Sequence, residues 1–285
     1  MKRCKNKSLA NYHSKREVRL FEILFSSFNL INWPKALIIL ILITLGGNSF
    51  AQNTDNVKVV SHFGGAATVT NNGLSFIPTF SLGKPAAIFD LSMGRKRVSF
   101  DPQFRFALDG KPWSFIFWWR YKAIRTNNIS LTIGAHPAVM FKTVSTTNNG
   151  VSEEIIVAQH FLAAEVAPNY FLNKNVSIGI YYLYSRGLQP DGVQNTNFFT
   201  LNCNLSHIKL PKEFYLKFTP QFYYLKMDKP DGFYFTSALT LAHQKWPISI
   251  SSVINKVIQT DITASKDFVW NVSIIYSFSN KYVTL

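Results

Sequence analysis

The chain has 285 residues, of which 30 are Lys or Arg and 15 are Asp or Glu, so its formal net charge is +15. Only 16% of the residues are charged whereas 15% are aromatic, which disfavours both an ordinary soluble domain and a disordered chain. The two cysteines are too few for a disulfide framework, and neither lies in a paired metal-binding spacing.

The first 51 residues are typical of an export signal. Residues 36–45 form an apolar run that is too short to span a bilayer as a helix but fits the apolar segment of a signal peptide. A small-x-small pattern ending at Ala51 predicts cleavage before Gln52. Residues 1–35 carry eight Lys or Arg against two Glu, so we interpret them as an extended basic n-region. Part of the basic excess therefore belongs to export.

The remainder of the chain alternates with a period of two. Val98, Phe100, Phe104 and Phe106 alternate with polar residues such as Arg105, which is typical of a strand with two different faces. No apolar run after residue 52 is long enough for a membrane-spanning helix. The pattern predicts twelve strands, at 74–82, 86–94, 97–108, 113–124, 129–143, 154–171, 176–186, 196–208, 213–226, 233–243, 247–258 and 268–282.

This organisation predicts an all-β, antiparallel up-and-down transmembrane β-barrel of about twelve strands. Most predicted strands reach the roughly nine to eleven residues that a tilted membrane strand needs. If the last strand ends on the periplasmic side, the short connections are periplasmic turns and the longer ones, such as 144–153 and 187–195, are extracellular loops. We assign 52–73 to a short periplasmic segment and 74–285 to the barrel, while 57–70 could add a strand or form a plug.

The last predicted strand carries the most specific signal. One face of it is apolar and rich in aromatic residues: Phe268, Trp270, Val272, Ile274, Tyr276 and Phe278. This pattern resembles the terminal strand of outer-membrane β-barrel proteins from diderm bacteria. The resemblance implies an outer-membrane location, contact with outer-membrane lipid, and recognition of this strand by the barrel-assembly machinery. It does not identify a substrate.

Polar residues on the opposite faces of the strands are expected to line the lumen. The candidates are Asp90, Asp101, Gln103, Arg105, Arg120, Lys122, His136, Lys142, Glu165, Lys217 and Gln221. Twelve strands lie between the barrels that side chains fill and those that enclose an open channel. The lumen is therefore either a packed network of ion pairs or a narrow polar path, in which five bases would outnumber three acids and favour anionic solutes.

Other classes of function have weaker support. The only Ser-His neighbours, at 61–62 and 206–207, would face opposite sides of a strand, so the sequence contains no catalytic motif. The six His show no metal-binding spacing, no cofactor is implied, and the aromatic residues fit a lipid-facing wall better than a nucleic-acid surface. We expect a structural or transport barrel rather than an enzyme. The alternatives are a lumen-active lipid-modifying barrel and a soluble periplasmic β-sandwich that binds a ligand.

Overall fold

The computed structural model describes residues 59–148, 151–190 and 192–284, and within them twelve antiparallel strands form one closed β-barrel. Each strand pairs with its neighbours along the chain, and the first strand pairs with the last. The strands are β1 (Val59–Thr70), β2 (Ala86–Arg95), β3 (Val98–Ala107), β4 (Pro112–Arg125), β5 (Ile129–Asn148), β6 (Val151–Phe171), β7 (Val176–Gly187), β8 (Asn195–Lys209), β9 (Phe214–Met227), β10 (Asp231–His243), β11 (Ile248–Thr260) and β12 (Phe268–Thr284). The predicted fold class is confirmed, and a β-sandwich is excluded. The predicted signal peptide and its cleavage site at Ala51 and Gln52 lie outside the described residues.

The start of the barrel differs from the prediction. Residues 59–70, assigned to a periplasmic segment with an added strand or a plug left open, form β1, which pairs with both β2 and β12 and closes the barrel. Residues 74–82, expected to be the first strand, contain only a short 3₁₀ helix at Pro78–Phe80. Both differences have a physical cause: the small residues at 64–67 of β1 hide its alternation, and the apolar alternation of 74–82 reflects contacts of Phe76 and Phe80 with aromatic rings inside the lumen.

The two ends of the barrel differ in the length of their connections. At the short-turn end, the connections 96–97, 126–128, 172–175, 210–213 and 244–247 contain two to four residues each, and both ends of the barrel chain lie there. The long-loop end holds 71–85, 108–111, 188–194, 228–230 and 261–267. Residues 71–73, which the prediction assigned to the periplasmic segment, therefore lie at the long-loop end. Two of the long-loop connections, 108–111 and 228–230, are themselves short.

β5 and β6 extend beyond the rest of the barrel as a hairpin. They pair with each other up to Asn148 and Val151, although the ladder between β4 and β5 stops at Met140 and that between β6 and β7 starts at Phe161. Most of the predicted loop at 144–153 is therefore strand. The hairpin is anchored at one point by an ion pair between Lys111 Nζ and Glu154 Oε2 at 2.8 Å.

The outer wall is apolar. On β12, five residues of the predicted apolar face are 41–59% exposed, and the sixth, Phe278, packs against Phe63 of β1 at 5.6 Å between ring centroids. Asn271 and Ser273, on the other face, are buried. The predicted face of β12 is confirmed, and its role in barrel assembly stays a prediction. Within the described residues, no helix is long and apolar enough to cross a membrane.

Charge is distributed unevenly between the two ends. The short-turn end carries a group of basic side chains with Glu213 among them: Arg95, Lys96, Arg97, Arg125, Lys174, Lys209, Lys212 and Lys245. Among the described residues, the long-loop end carries acidic and basic residues in equal number: Asp109, Glu153, Glu154, Asp228, Asp231, Asp261 and Asp267, with Lys84, Lys111, Lys142, Arg186, Lys226, Lys229 and Lys266. The barrel is therefore electrostatically polarised along its axis, with the positive excess at the short-turn end.

Candidate functional site in the barrel lumen

The connection between β1 and β2, residues 71–85, folds into the lumen; we call it the inserted loop. Its Phe80 packs edge-on against Phe161 of β6 at 5.0 Å between ring centroids. The backbone carbonyl of Phe80 accepts a hydrogen bond from Trp113 Nε1 at 2.8 Å. Phe76 stacks on Phe198 of β8 at 6.4 Å. The loop returns to the wall through Gly83, whose φ of +74° is a conformation that favours glycine. The inserted loop therefore narrows the lumen from the long-loop end.

Two apolar clusters pack around the inserted loop. The first contains Trp113, Met140 and Phe161, with Phe80 and other partly buried side chains against it. The second is larger and centres on inward aromatic and aliphatic side chains of β4 to β10: Trp118, Ala163, Leu183, Phe198, Tyr223, Leu225, Met227 and Tyr234. The connection 261–267 also contributes to this second cluster, through Ile262. The long-loop half of the lumen is therefore largely an apolar core.

A charged network lies across the strands beside these clusters. Arg120 of β4 donates to Asp101 Oδ2 of β3 at 3.0 Å and, through Nε, to Glu165 Oε1 of β6 at 2.6 Å. Tyr181 of β7 also donates to Glu165, at 2.8 Å. The Arg120 guanidinium lies 4.3 Å from the centre of the Trp118 ring. One guanidinium thus forms ion pairs with two carboxylates, and the side chain of Glu165 is only 2% exposed.

The bridge from Arg120 to Glu165 crosses over β5, which separates their two strands. The inward position of β5 at the crossing is Gly134. A Cβ atom there would lie 2.8 Å from Glu165 Oε1 and 3.1 Å from Arg120 Cγ. Gly134 therefore leaves the space in which the two side chains meet.

Histidine and serine also meet on the inward face, but not as a catalytic triad. His62 Nε2 of β1 lies 3.1 Å from Ser92 Oγ of β2, and Ser92 donates to Asp101 Oδ1 at 2.6 Å. In a triad the histidine lies between the carboxylate and the nucleophile. Here the serine is in the middle and its proton is directed at the carboxylate. This arrangement extends the charged network and gives no activated nucleophile.

A cavity of about 570 Å³ lies between the inserted loop, the apolar clusters and the wall. Its apolar part is formed by Phe80, Met140, Phe161 and their neighbours. Towards the short-turn end its lining becomes polar, with Asn169, Asn202, Asn204, Thr219 and Gln221. Several of these side chains are linked to each other, since Asn204 donates to Asn202 and Thr219 donates to Asn204, each at 3.1 Å.

The predicted lumen residues differ in whether they line the cavity. Gln103, Arg105, Arg120, His136 and Gln221 line the cavity. Asp101 and Glu165 are engaged by Arg120, while Asp90 faces inward beside Arg105 without lining the cavity.

The three lysines of the prediction lie away from the cavity. Lys122 lines a separate depression at the short-turn end. Lys217 is exposed and contacts the ring of Tyr215 at 5.8 Å. Lys142 lies on the projecting hairpin, beyond the last pairing with β4. The five predicted bases therefore do not form one continuous cationic path.

The long-loop rim is organised by Asp228. Its carboxylate accepts backbone hydrogen bonds from Gln194 at 2.9 Å and Asn195 at 2.8 Å, which attach the connection 188–194 and the start of β8 to the connection 228–230. Partial desolvation acts to raise the pKa of Asp228, but these bonds and one from the Asn195 side chain lower it below its ordinary value. Among the described residues, no group of three or more His, Cys, Asp or Glu could hold a metal ion.

The residues that narrow the lumen differ from the prediction. The alternation at 74–82 predicts a wall strand, but its residues Phe76, Ile77 and Phe80 lie inside the barrel. A signal for a loop was present, because the residues at 71–73 (Asn-Asn-Gly) and 83–85 (Gly-Lys-Pro) are strong turn formers on either side of a short apolar segment.

No family model matches the sequence, and no curated protein matches it. Several solved β-barrels are similar in structure at low identity. The KdgM porin has a TM-score of 0.46 at 9% identity, with 76% of this chain and 99% of that chain covered. The NanC porin has a TM-score of 0.41 at 12% identity, covering 78% and 100%. The β domain of the Bordetella autotransporter BrkA has a TM-score of 0.39 at 8% identity, covering 78% and 99%.

Proposed function

We propose that the chain is an exported outer-membrane β-barrel that passes small polar solutes, with some preference for anions. The single observation that carries this proposal is the contrast between the two surfaces of one closed barrel. The outer wall presents large apolar side chains, whereas the lumen holds a cavity with amide, hydroxyl and guanidinium groups. Such a wall suits lipid, and a polar lumen suits aqueous solutes.

The proposed orientation places the short-turn end in the periplasm and the long-loop end outside the cell. Short turns on the periplasmic side and longer loops outside are the usual arrangement in barrels of this kind. The partners proposed with this location are outer-membrane lipid and the barrel-assembly machinery, which would read β12.

The proposed passage is narrow because the inserted loop and the apolar clusters occupy much of the long-loop half. Its preference for anions is modest. Arg120, one of the five predicted bases, is paired with Asp101 and Glu165, so its charge is locally cancelled. The bases left to attract an anion within the lumen are Arg105 in the cavity and, near the short-turn end, Lys122 and Lys217.

Planar-bilayer conductance of the purified chain tests this function. We compare the natural chain with a variant in which residues 74–82 are replaced by a Gly-Ser segment of equal length. The natural chain should give small conductance steps, and the variant should give steps at least severalfold larger, because Phe76, Ile77 and Phe80 no longer occupy the lumen. The matched control replaces 144–153, which lies in the projecting hairpin, and should conduct as the natural chain does.

Each variant is first shown to be a folded barrel by its faster migration in unboiled than in boiled detergent gels. If folded natural chain and folded 74–82 variant both fail to conduct, the proposed channel is wrong.

A further inference from the structure

The charged side chains that line the cavity are all cationic. Arg105 and Arg120 line it, whereas the three inward carboxylates Asp90, Asp101 and Glu165 do not. A ligand in the cavity therefore meets guanidinium groups directly and carboxylates only behind them. This arrangement favours an anion over a cation.

The two arginines differ in their partners. Arg120 is ion-paired with two carboxylates, Asp101 through Nη1 at 3.0 Å and Glu165 through Nε at 2.6 Å. Arg105 makes one side-chain hydrogen bond among the described residues, from Nη2 to Gln103 Oε1 at 2.9 Å, and its buried Nε has no partner there. A guanidinium has five donors, and a buried donor without a partner is costly. A bound anion would supply the missing acceptor at Arg105.

Asp90 does not fill this role. Asp90 lies on the neighbouring strand, but no ion pair within 4.0 Å joins it to Arg105 among the described residues, and Asp90 Oδ1 is itself buried without a partner. The absence of a direct pair leaves the cavity side of Arg105 available.

The surroundings of Arg105 are apolar and aromatic. Its guanidinium lies 5.2 Å from the centre of the Trp113 ring. Phe80, Met140 and Phe161 form the adjoining part of the cavity, and all three belong to the cluster around Trp113. A volume of about 570 Å³ lies within the range of roughly 300–1,000 Å³ typical of small-molecule sites.

Two further polar atoms on the cavity wall lack partners. His136 Nδ1 and Thr200 Oγ1 are buried and make no hydrogen bond within the described part of the chain. They could accept or donate one hydrogen bond each to a polar substituent of a ligand. The site thus combines one strong anion anchor with a few weaker polar contacts in an apolar chamber.

We propose that this cavity binds a small monocarboxylate with an apolar ring or chain. Its carboxylate is held by Arg105, and its apolar body lies against Phe80, Met140 and Phe161. The inference rests on the proposed function, because it names the class of solute that a passage through this lumen would bind. Free inorganic anions lack the apolar body and should bind more weakly.

Isothermal titration calorimetry of the full chain in detergent micelles tests the inference, with phenylacetate as the probe. Phenylacetamide, which has the same ring without the charge, should bind at least tenfold more weakly. Arg105→Gln should weaken phenylacetate binding at least tenfold. The matched control is Lys217→Gln, which removes another inward base outside the cavity and should leave the affinity unchanged.

Two other variants separate the anchor from the fold. Ala138→Trp fills the cavity without changing Arg105 and should abolish binding. Asp90→Asn removes the negative charge nearest Arg105 and should leave phenylacetate binding equal or tighter. If Asp90→Asn abolishes binding, or the amide binds as well as the carboxylate, the proposed anion site is wrong.

The outcomes for the site and for the channel are distinguishable. Conductance without phenylacetate binding by the natural chain would leave the channel standing and overturn the inferred site. Binding that depends on Arg105, without conductance in any folded variant, would support the site and overturn the channel.

Discussion

Replacing Arg120 by leucine should destabilise the barrel, because it leaves Glu165 and Asp101 without their cation. Removing one member of a buried ion pair costs about 3–5 kcal/mol. Arg120 is 28% exposed to the lumen and Glu165 keeps the hydrogen bond from Tyr181. We therefore expect about 2–3 kcal/mol for Arg120→Leu, which is below the cost for a fully buried pair.

The free energy of unfolding is measured by urea titration in lipid bilayers, followed by tryptophan fluorescence. Lys122→Leu is the matched control, since Lys122 lies on the same strand and face but makes no ion pair among the described residues. Its effect should stay within about 0.5 kcal/mol. The double variant Arg120→Leu with Glu165→Leu should be less destabilised than the two single effects summed. Equal stability of Arg120→Leu and Lys122→Leu would refute the reasoning.

Three other substitutions or deletions test separate parts of the structure. Gly134→Ala should cost about 1–3 kcal/mol in the same unfolding assay, because its methyl group would enter the space that Glu165 occupies. Folding lowers the pKa of Asp228, so its contribution to stability is present above an ordinary carboxyl pKa of about 3.9 and is lost as the pH falls through the lower folded value. At neutral pH, Asp228→Asn should therefore increase hydrogen exchange of the Asn195 amide. Unchanged exchange would contradict the contact. Deleting 143–156 should change the free energy of unfolding by less than about 1 kcal/mol, because the projecting hairpin pairs with no neighbouring strand. A barrel that no longer folds after this deletion would contradict the assignment of these residues to a projecting hairpin.

Most of the wall could be predicted because its strands carry two distinct faces. The strand predicted at 176–186 is found at Val176–Gly187, and that predicted at 213–226 is found at Phe214–Met227. In both, apolar residues face out while inward residues are polar or packed in the lumen. The period of two is then visible in the sequence itself.

The pattern failed where side chains were small or where burial had another cause. β1 contains four consecutive residues that are Gly or Ala at 64–67, so its alternation carries little contrast. The inserted loop alternates because Phe76 and Phe80 pack against apolar side chains inside the barrel, which a sequence cannot distinguish from contact with lipid at the outer wall. The periodicity indicates an apolar environment, but not whether that environment is the lumen or the lipid.

The inward direction of the candidate residues was predictable, but their pairing was not. The alternation of faces along each strand predicts that Arg120, Asp101 and Glu165 all face the lumen. Their meeting depends on the register of four strands and on the space left at Gly134, and neither follows from the order of residues in one strand. As a result, a group expected to attract anions is internally neutralised, and Arg105 remains as the available cation.

We propose that this closed barrel lies in the outer membrane, and fractionation of cells that express it tests that location most directly. The protein should partition with the outer membrane and migrate faster in unboiled than in boiled detergent gels, because an intact barrel resists detergent. Recovery as a soluble periplasmic protein whose migration does not change on boiling would contradict the account.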